Sequence, residues 1–169
     1  MSAEVQLLWD ASGLVKRYYD EEGRETVNAL FAVVPTPQMA TTPWGYAETF
    51  SILLRRHNSG VLDRAAFTDA VTSLQAEVVT APDFRLLSIT DALVFTSLSL
   101  MQAHNLNATD AAILATYLNF QRSQPADAPT YLLVAADQRL LRAGAAEGLA
   151  GLNPQFVPAA TLPAFLAGL

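Results

Sequence analysis

Val5-Gln6-Leu7-Leu8-Trp9-Asp10-Ala11-Ser12 is the stretch whose reading decides the fold. A short, mostly apolar run ends in an acid, and the residues from Ser12 to Tyr19 read as a helix that opens with a serine cap. The order is strand, turn, helix. It recurs near the other end of the chain, where Thr130 to Ala135 forms an apolar run and Asp137 to Glu147 reads as a helix ending at Gly148. Between these lie a helix over 25–34 stopped by Pro35 and Pro37, a short strand over 38–42, and a helix over 44–57 with Pro43 in its first turn. Further helices are expected over 63–79, 90–104 and 109–120, with a strand candidate over 84–89. Gln155-Phe156-Val157 reads as a last edge strand, followed by a short apolar tail helix ending near Leu169.

Strands separated by helical stretches predict an α/β fold, a mainly parallel sheet with helices on both faces. In such sheets ligands bind beyond the carboxyl ends of the strands. Asp10 and Asp137 each come just after a strand of this kind, so the pattern places both carboxylates at one edge of the sheet. A chain of 169 residues without a break in composition is read as one domain.

Composition narrows the chemistry. There is no cysteine, and the two histidines, His57 and His104, lie far apart in sequence, so thiolate zinc sites and cysteine nucleophiles are excluded and any metal is held by oxygen. A net charge of -6 argues against a protein that coats nucleic acid non-specifically, but a cluster of carboxylates around a cation is compatible with it. Nine of the ten basic residues are arginine, whose planar fork suits phosphate. The hydrophobic fraction of 51% is high enough to place part of that surface in an interface. No window has the length of a membrane span, and Met1-Ser2-Ala3-Glu4 lack the layout of a signal peptide, so the expected address is cytoplasmic, with no membrane partner.

Four acids stand out, and each has a structural reading beside the functional one. Asp10 suits a turn, Asp137 suits the start of its helix, and Asp110 suits a first turn capped by Asn107 or Thr109. Glu48 is harder to explain that way. It is the only acid between Glu25 and Asp63, in a helix that is apolar on nearly every face and is therefore expected to be buried, with Trp44 and Ile52 one turn away. If the four converge, two carboxylates about 5 Å apart repel by about 3 kcal/mol at an effective dielectric of 20. Either some are protonated or a cation sits among them, and oxygen ligands favour Mg²⁺ or Mn²⁺.

Four segments carry a resemblance: Asp10-Ala11-Ser12-Gly13-Leu14-Val15-Lys16-Arg17-Tyr18-Tyr19, Trp44-Gly45-Tyr46-Ala47-Glu48-Thr49-Phe50-Ser51, Thr109-Asp110-Ala111-Ala112-Ile113-Leu114-Ala115-Thr116 and Leu133-Val134-Ala135-Ala136-Asp137-Gln138-Arg139-Leu140-Leu141. In this order and at these intervals they resemble the PIN-domain ribonucleases, in particular the VapC-type toxins of toxin–antitoxin pairs. The resemblance covers roughly residues 5 to 150 and implies a PIN-like three-layer fold. Residues 1–150 would form the PIN-like unit, and 151–169 an edge strand and tail helix of the same domain. It implies that Asp10, Glu48, Asp110 and Asp137 bind Mg²⁺, with Mn²⁺ able to substitute, and that Ser12 hydrogen-bonds within the metal site. It further implies endoribonuclease cleavage of RNA by metal-activated water, a cognate antitoxin and a homodimer. One departure is that Ala135 and Ala136 precede Asp137, where many members carry Thr or Ser.

Lys16, Arg17, Arg139 and Arg142 are candidates for holding RNA phosphates, against a plain reading as solvated surface. Trp44 and Tyr46 are read as core rather than base-stacking platforms. Two other functions compete. One is a PIN-like module that acts through protein partners without catalysis. The other is a metal-dependent phosphatase or DNA nuclease, disfavoured because Asp10-Ala11-Ser12 lacks the second acid two residues on that haloacid-dehalogenase-like phosphatases use.

Overall fold

The computed structural model describes residues 5–125 and 127–169. Met1-Ser2-Ala3-Glu4, read above for a targeting signal, lie outside the described residues. The central strand β1 is Val5–Trp9, buried along its whole length. Its neighbour β4, Thr130–Val134, pairs with it in parallel from Val5 opposite Thr130 to Trp9 opposite Val134. On the other side lie β2, Met39–Thr41, and then β3, Arg85–Leu86, while β5, Ala150–Leu152, forms the far edge beside β4. The order is β3-β2-β1-β4-β5 and every pairing is parallel.

The helices are α1 Ala11–Leu14, α2 Arg24–Val33, α3 Pro43–Asn58, α4 Arg64–Leu74, α5 Asp91–His104, α6 Ala108–Arg122, α7 Gln138–Ala146 and α8 Leu162–Ala167. They divide between the two faces because strand side chains alternate. Val5, Leu7 and Trp9 share one face with Leu132 and Val134, and meet Leu14, Leu30, Leu53, Leu74 and Leu162 there. Leu8 and Leu133 point the other way, into Ile113, Leu114, Tyr117 and Leu140. Strands covered on both sides read as continuous apolar runs, which is why 5–9 and 130–134 were legible. The result is the three-layer α/β arrangement expected from the sequence. No helix among the described residues is long and apolar enough to cross a membrane.

Several expectations are corrected. The strand at the far edge is Ala150–Leu152, and Gln155-Phe156-Val157 form turns instead. Those turns are held locally by Asn153 Oδ1, which accepts from Gln155 N at 2.9 Å, and from α2 by Thr26 Oγ1, which donates to Val157 O at 2.7 Å. The candidate over 84–89 shrinks to Arg85–Leu86. The helix over 63–79 is capped by Asp63 and passes at Gln75 into a π-helical segment ending at Thr80. The first helix is capped by Asp10 rather than Ser12, and continues as a 3₁₀ turn over Val15–Arg17.

The largest correction concerns α3. It is not buried all round: only Gly45, Thr49 and Leu53 are buried, while Trp44 is 48% exposed and so is not core. It lies at the rim of one helical layer and buries a single stripe against α1 and α4. Tyr46 is partly buried against that core.

Candidate active site

The end of β1 is held from three sides. Asp10 N donates to Val134 O at 3.0 Å, extending the ladder with β4. The Trp9 carbonyl accepts from Tyr117 Oη of α6 at 2.6 Å and from Thr41 Oγ1 of β2 at 2.8 Å. A buried carbonyl with both partners satisfied has little freedom, so the next residue, Asp10, starts from a fixed position.

Ser12 then joins the two strand ends. Its backbone N donates to Asp10 Oδ2 at 2.9 Å, and its hydroxyl donates to the same oxygen. The Ser12 oxygen in turn accepts from Ala136 N at 2.9 Å and Asp137 N at 3.3 Å. One hydroxyl thus couples the acid after β1 to the loop carrying the acid after β4. The close approach is possible because residue 13 is glycine, since a Cβ there would lie 2.6 Å from Val134 O. Ala136 contributes backbone groups alone, its N–H to Ser12 and its carbonyl to Asn153 Nδ2 at 3.3 Å, so the side chain missing before Asp137 is not what holds this loop.

Asp137 caps α7, its Oδ1 accepting from Arg139 N at 2.7 Å and Leu140 N at 3.1 Å. Asp110 stands in the first turn of α6 in a reciprocal pair with the cap. Asn107 Oδ1 accepts from Asp110 N, and Asn107 Nδ2 donates to Asp110 Oδ2, both at 2.8 Å. Glu48 is half-buried on α3. All four acids line one cleft of about 340 Å³, with Ser12, Ser51, Ile52, Arg55 and Asn107 among the other lining residues.

The structural and functional readings of the aspartates coexist. Each accepts its hydrogen bonds on one oxygen, Oδ2 in Asp10 and Asp110 and Oδ1 in Asp137. Among the described residues, the second oxygen of each has no hydrogen-bond donor, and neither has Glu48. Burial holds Asp10 above the ordinary carboxylate range against the lowering bonds from Ser12, and the Asp137 charge adds to it. Burial also raises Glu48, helped by the charges of Asp10 and Asp110 and opposed by Arg55. Asp110 is pushed up to about 6, by burial first and then by the charges of Asp10 and Asp137. The acids therefore sense one another, and a cation among them would relieve both burial and repulsion.

This donor set fits a hard divalent ion in chemistry: oxygen ligands only, spare lone pairs and mutual repulsion. In position the fit is looser, because among the described residues no three carboxylate or imidazole groups stand close enough together to hold an ion as placed. Replacing Ser12 with Ala removes the hydroxyl that supports Asp10 and the 136–137 loop, and is expected to lower divalent-metal affinity about 10–100-fold. Mn²⁺ titration monitored by calorimetry measures this, with Ser12→Thr expected to retain most of the affinity.

Two of the four cation candidates lie elsewhere. Lys16 is buried at 3% exposure and pairs with Glu21 at 2.8 Å. Arg17 donates to Glu77 through Nε and Nη2 and to Asn28 through Nη1, with its guanidinium 4.8 Å from the Phe31 ring centroid. Both are spent on the fold, which corrects their reading as phosphate contacts. Arg139 is exposed near the cleft, where its charge favours ionised Asp110, and its Nη1 donates to Asn105 O at 3.3 Å. Arg142 is exposed on α7 but does not line the cleft. Neither histidine does: His57 Nδ1 bonds Leu62 O and His104 Nε2 pairs with Glu147.

Sequence reading missed Ser51 and Arg55. The signal was present, because Ser51, Ile52 and Arg55 follow Glu48 at i+3, i+4 and i+7 and so share its face of the helix. A larger cleft of about 630 Å³ lies at the opposite end of β1, between α2 and α8. Among the described residues its lining, which includes Val5, Val33, Pro35, Leu162 and Leu166, holds no titratable side chain.

No family model matches the sequence, and no curated protein matches it. Solved structures do. VapC20 from Mycobacterium tuberculosis, described as a toxin that cleaves the sarcin-ricin loop, is 18% identical with a TM-score of 0.61, covering 88% of this chain and 99% of its own. PAE2754 from Pyrobaculum aerophilum is 19% identical with a TM-score of 0.60, covering 98% of each chain. FitAcB from Neisseria gonorrhoeae is 16% identical with a TM-score of 0.60, covering 89% of this chain and 99% of its own. At these identities the likeness establishes the fold. The chain shares its PIN-like α/β fold with these structures.

Proposed function

We propose that this protein is a metal-dependent endoribonuclease, the toxin of a toxin–antitoxin pair. The observation that carries the reading is the cleft in which Asp10, Asp110 and Asp137 each keep one carboxylate oxygen without a protein partner beside the half-buried Glu48. These acids would hold Mg²⁺, or Mn²⁺ in its place, and the ion when bound polarises a phosphoryl oxygen and activates water for in-line attack. Ser12 and Asn107 fix the aspartates' orientations, and Arg139 supplies positive charge beside Asp110. That VapC20, on the same fold, is described as a toxin cleaving the sarcin-ricin loop supports a nuclease toxin, with RNA as the substrate we propose. Incubation of a mixed RNA pool with the purified protein is expected to give discrete fragments with Mg²⁺ and none with EDTA.

The partners follow from the same reading. An acidic cleft accepts an arginine side chain from an antitoxin segment that blocks it. The helix α5 is apolar on most of its faces yet leaves Phe95 72% and Leu98 53% exposed, which supports a homodimer through this face. Light scattering is expected to give twice the chain mass, and a monomeric mass at high concentration contradicts it.

A second reading, a PIN-like module that acts through protein partners without catalysis, draws on the spacing of the acids, no three of which close on one ion as placed. Mn²⁺ binding in the cleft together with RNA turnover excludes that reading.

A further inference from the structure

Glu48, Ser51, Ile52 and Arg55 form one stripe of α3 along the carboxylate cleft. Within that stripe Arg55 is the only cation lining the cleft among the described residues. It is exposed, and its Nη1 donates to Ser51 Oγ at 2.9 Å. No carboxylate among the described residues forms an ion pair with it. Lys16, Arg17, Arg24, Arg56 and Arg122 all pair with an acid, and the other arginines that form no ion pair among the described residues, Arg64, Arg85, Arg139 and Arg142, do not line the cleft. An arginine that stands beside four acids yet pairs with none keeps its fork for an anion arriving from outside. Ser51 fixes one arm of the guanidinium, and Nε and Nη2 remain as donors, the planar arrangement that matches a phosphate.

We infer that Arg55 grips a phosphate of the RNA strand next to the scissile one and that Ser51 orients it, making α3 the wall along which the substrate backbone runs. This rests on the nuclease reading. The stripe supplies a chemical logic for it: the acids at one end repel a bare phosphodiester, and a fixed guanidinium along the same helix face offsets that repulsion for the neighbouring phosphate. It also moves the phosphate-holding role expected of Lys16 and Arg17 to a residue that is available for it.

The test is fluorescence anisotropy of a labelled mixed-sequence single-stranded RNA, titrated at several salt concentrations with Mg²⁺ in the Asp10→Asn background, so that binding is read without cutting. Arg55→Ala is expected to weaken binding about tenfold and to reduce the slope of log affinity against log salt by about 0.7, the value for one lost phosphate contact on a single strand. Arg55→Lys restores the slope while leaving affinity below the parent, because the charge returns without the fork. Arg64→Ala, an exposed arginine on α4 outside the cleft, leaves affinity and slope unchanged. Affinity and slope unaltered in Arg55→Ala, or altered equally in Arg64→Ala, overturn the assignment. If the unsubstituted protein cuts RNA with Mg²⁺ while Arg55→Ala binds normally, the nuclease reading stands and the assignment falls. If it neither binds nor cuts RNA, both fall.

Discussion

Asp10→Asn is expected to reduce metal-dependent RNA cleavage to background while raising the melting temperature of the metal-free protein. The two effects have one origin. Asp10 is 5% exposed at the end of the central strand, and burial already penalises its charge. The asparagine keeps an oxygen to accept from Ser12 and removes that charge, so the fold gains what the site loses. Each kcal/mol relieved raises the melting temperature by roughly 2–4 °C in a chain of this size. Activity on the RNA pool and a thermal melt in EDTA measure both. A variant that is inactive because it has unfolded, with a lowered melting temperature, would contradict this account of Asp10.

Metal stabilisation is expected to depend on pH. Burial and the neighbouring charges push Asp110 up to about 6, from an ordinary value of 3.8. A carboxyl whose pKa is raised by folding holds its proton more tightly in the folded state. Stability from this group is therefore present below about 4, declines as pH rises towards 6, and above that the full cost of the buried charge stands. A divalent cation takes the proton's place, so it has most to offer where the group is ionised. At pH 7 an ion at a hundred times its dissociation constant contributes about 2.7 kcal/mol, a rise of roughly 5–10 °C in melting temperature. At pH 5 the proton competes, the apparent affinity falls about tenfold, and the rise is expected to fall to about half of that. Melts with Mn²⁺ and with EDTA at each pH measure it, and Asp110→Asn should shrink the difference between the two. An equal metal-induced rise at both pH values would contradict the coupling.

How much of this was legible in the sequence follows from what each signal depends on. The central strands were readable because burial on both faces gives continuous apolar runs at 5–9 and 130–134, and an acid directly after such a run marks the ligand-binding edge. The edge strand at 150–152 was not, because Ala150-Gly151-Leu152 has little apolar or β-branched character and is held by its pairing with β4. The helix α3 was misjudged because an apolar sequence does not reveal whether a neighbour covers it, and Trp44 shows that here none does on that side. Sequence order brought the four acids to one cleft but gave no indication of which oxygen each aspartate would commit to its own backbone. The cations were least legible. Lys16 and Glu21 meet only because the chain leaves its helix near Tyr18, whereas Arg55 reaches the cleft by the regular spacing of α3 from Glu48.

The most direct test of the central claim is end-group analysis of RNA cleaved by the purified protein with Mg²⁺, with Mn²⁺ and with EDTA. Attack by water held at the carboxylate cleft predicts metal-dependent cutting that leaves no 2′,3′-cyclic phosphate and persists when the 2′-hydroxyl at the cut position is replaced by hydrogen. RNA left intact under every metal, or fragments bearing cyclic phosphate in EDTA, would contradict it.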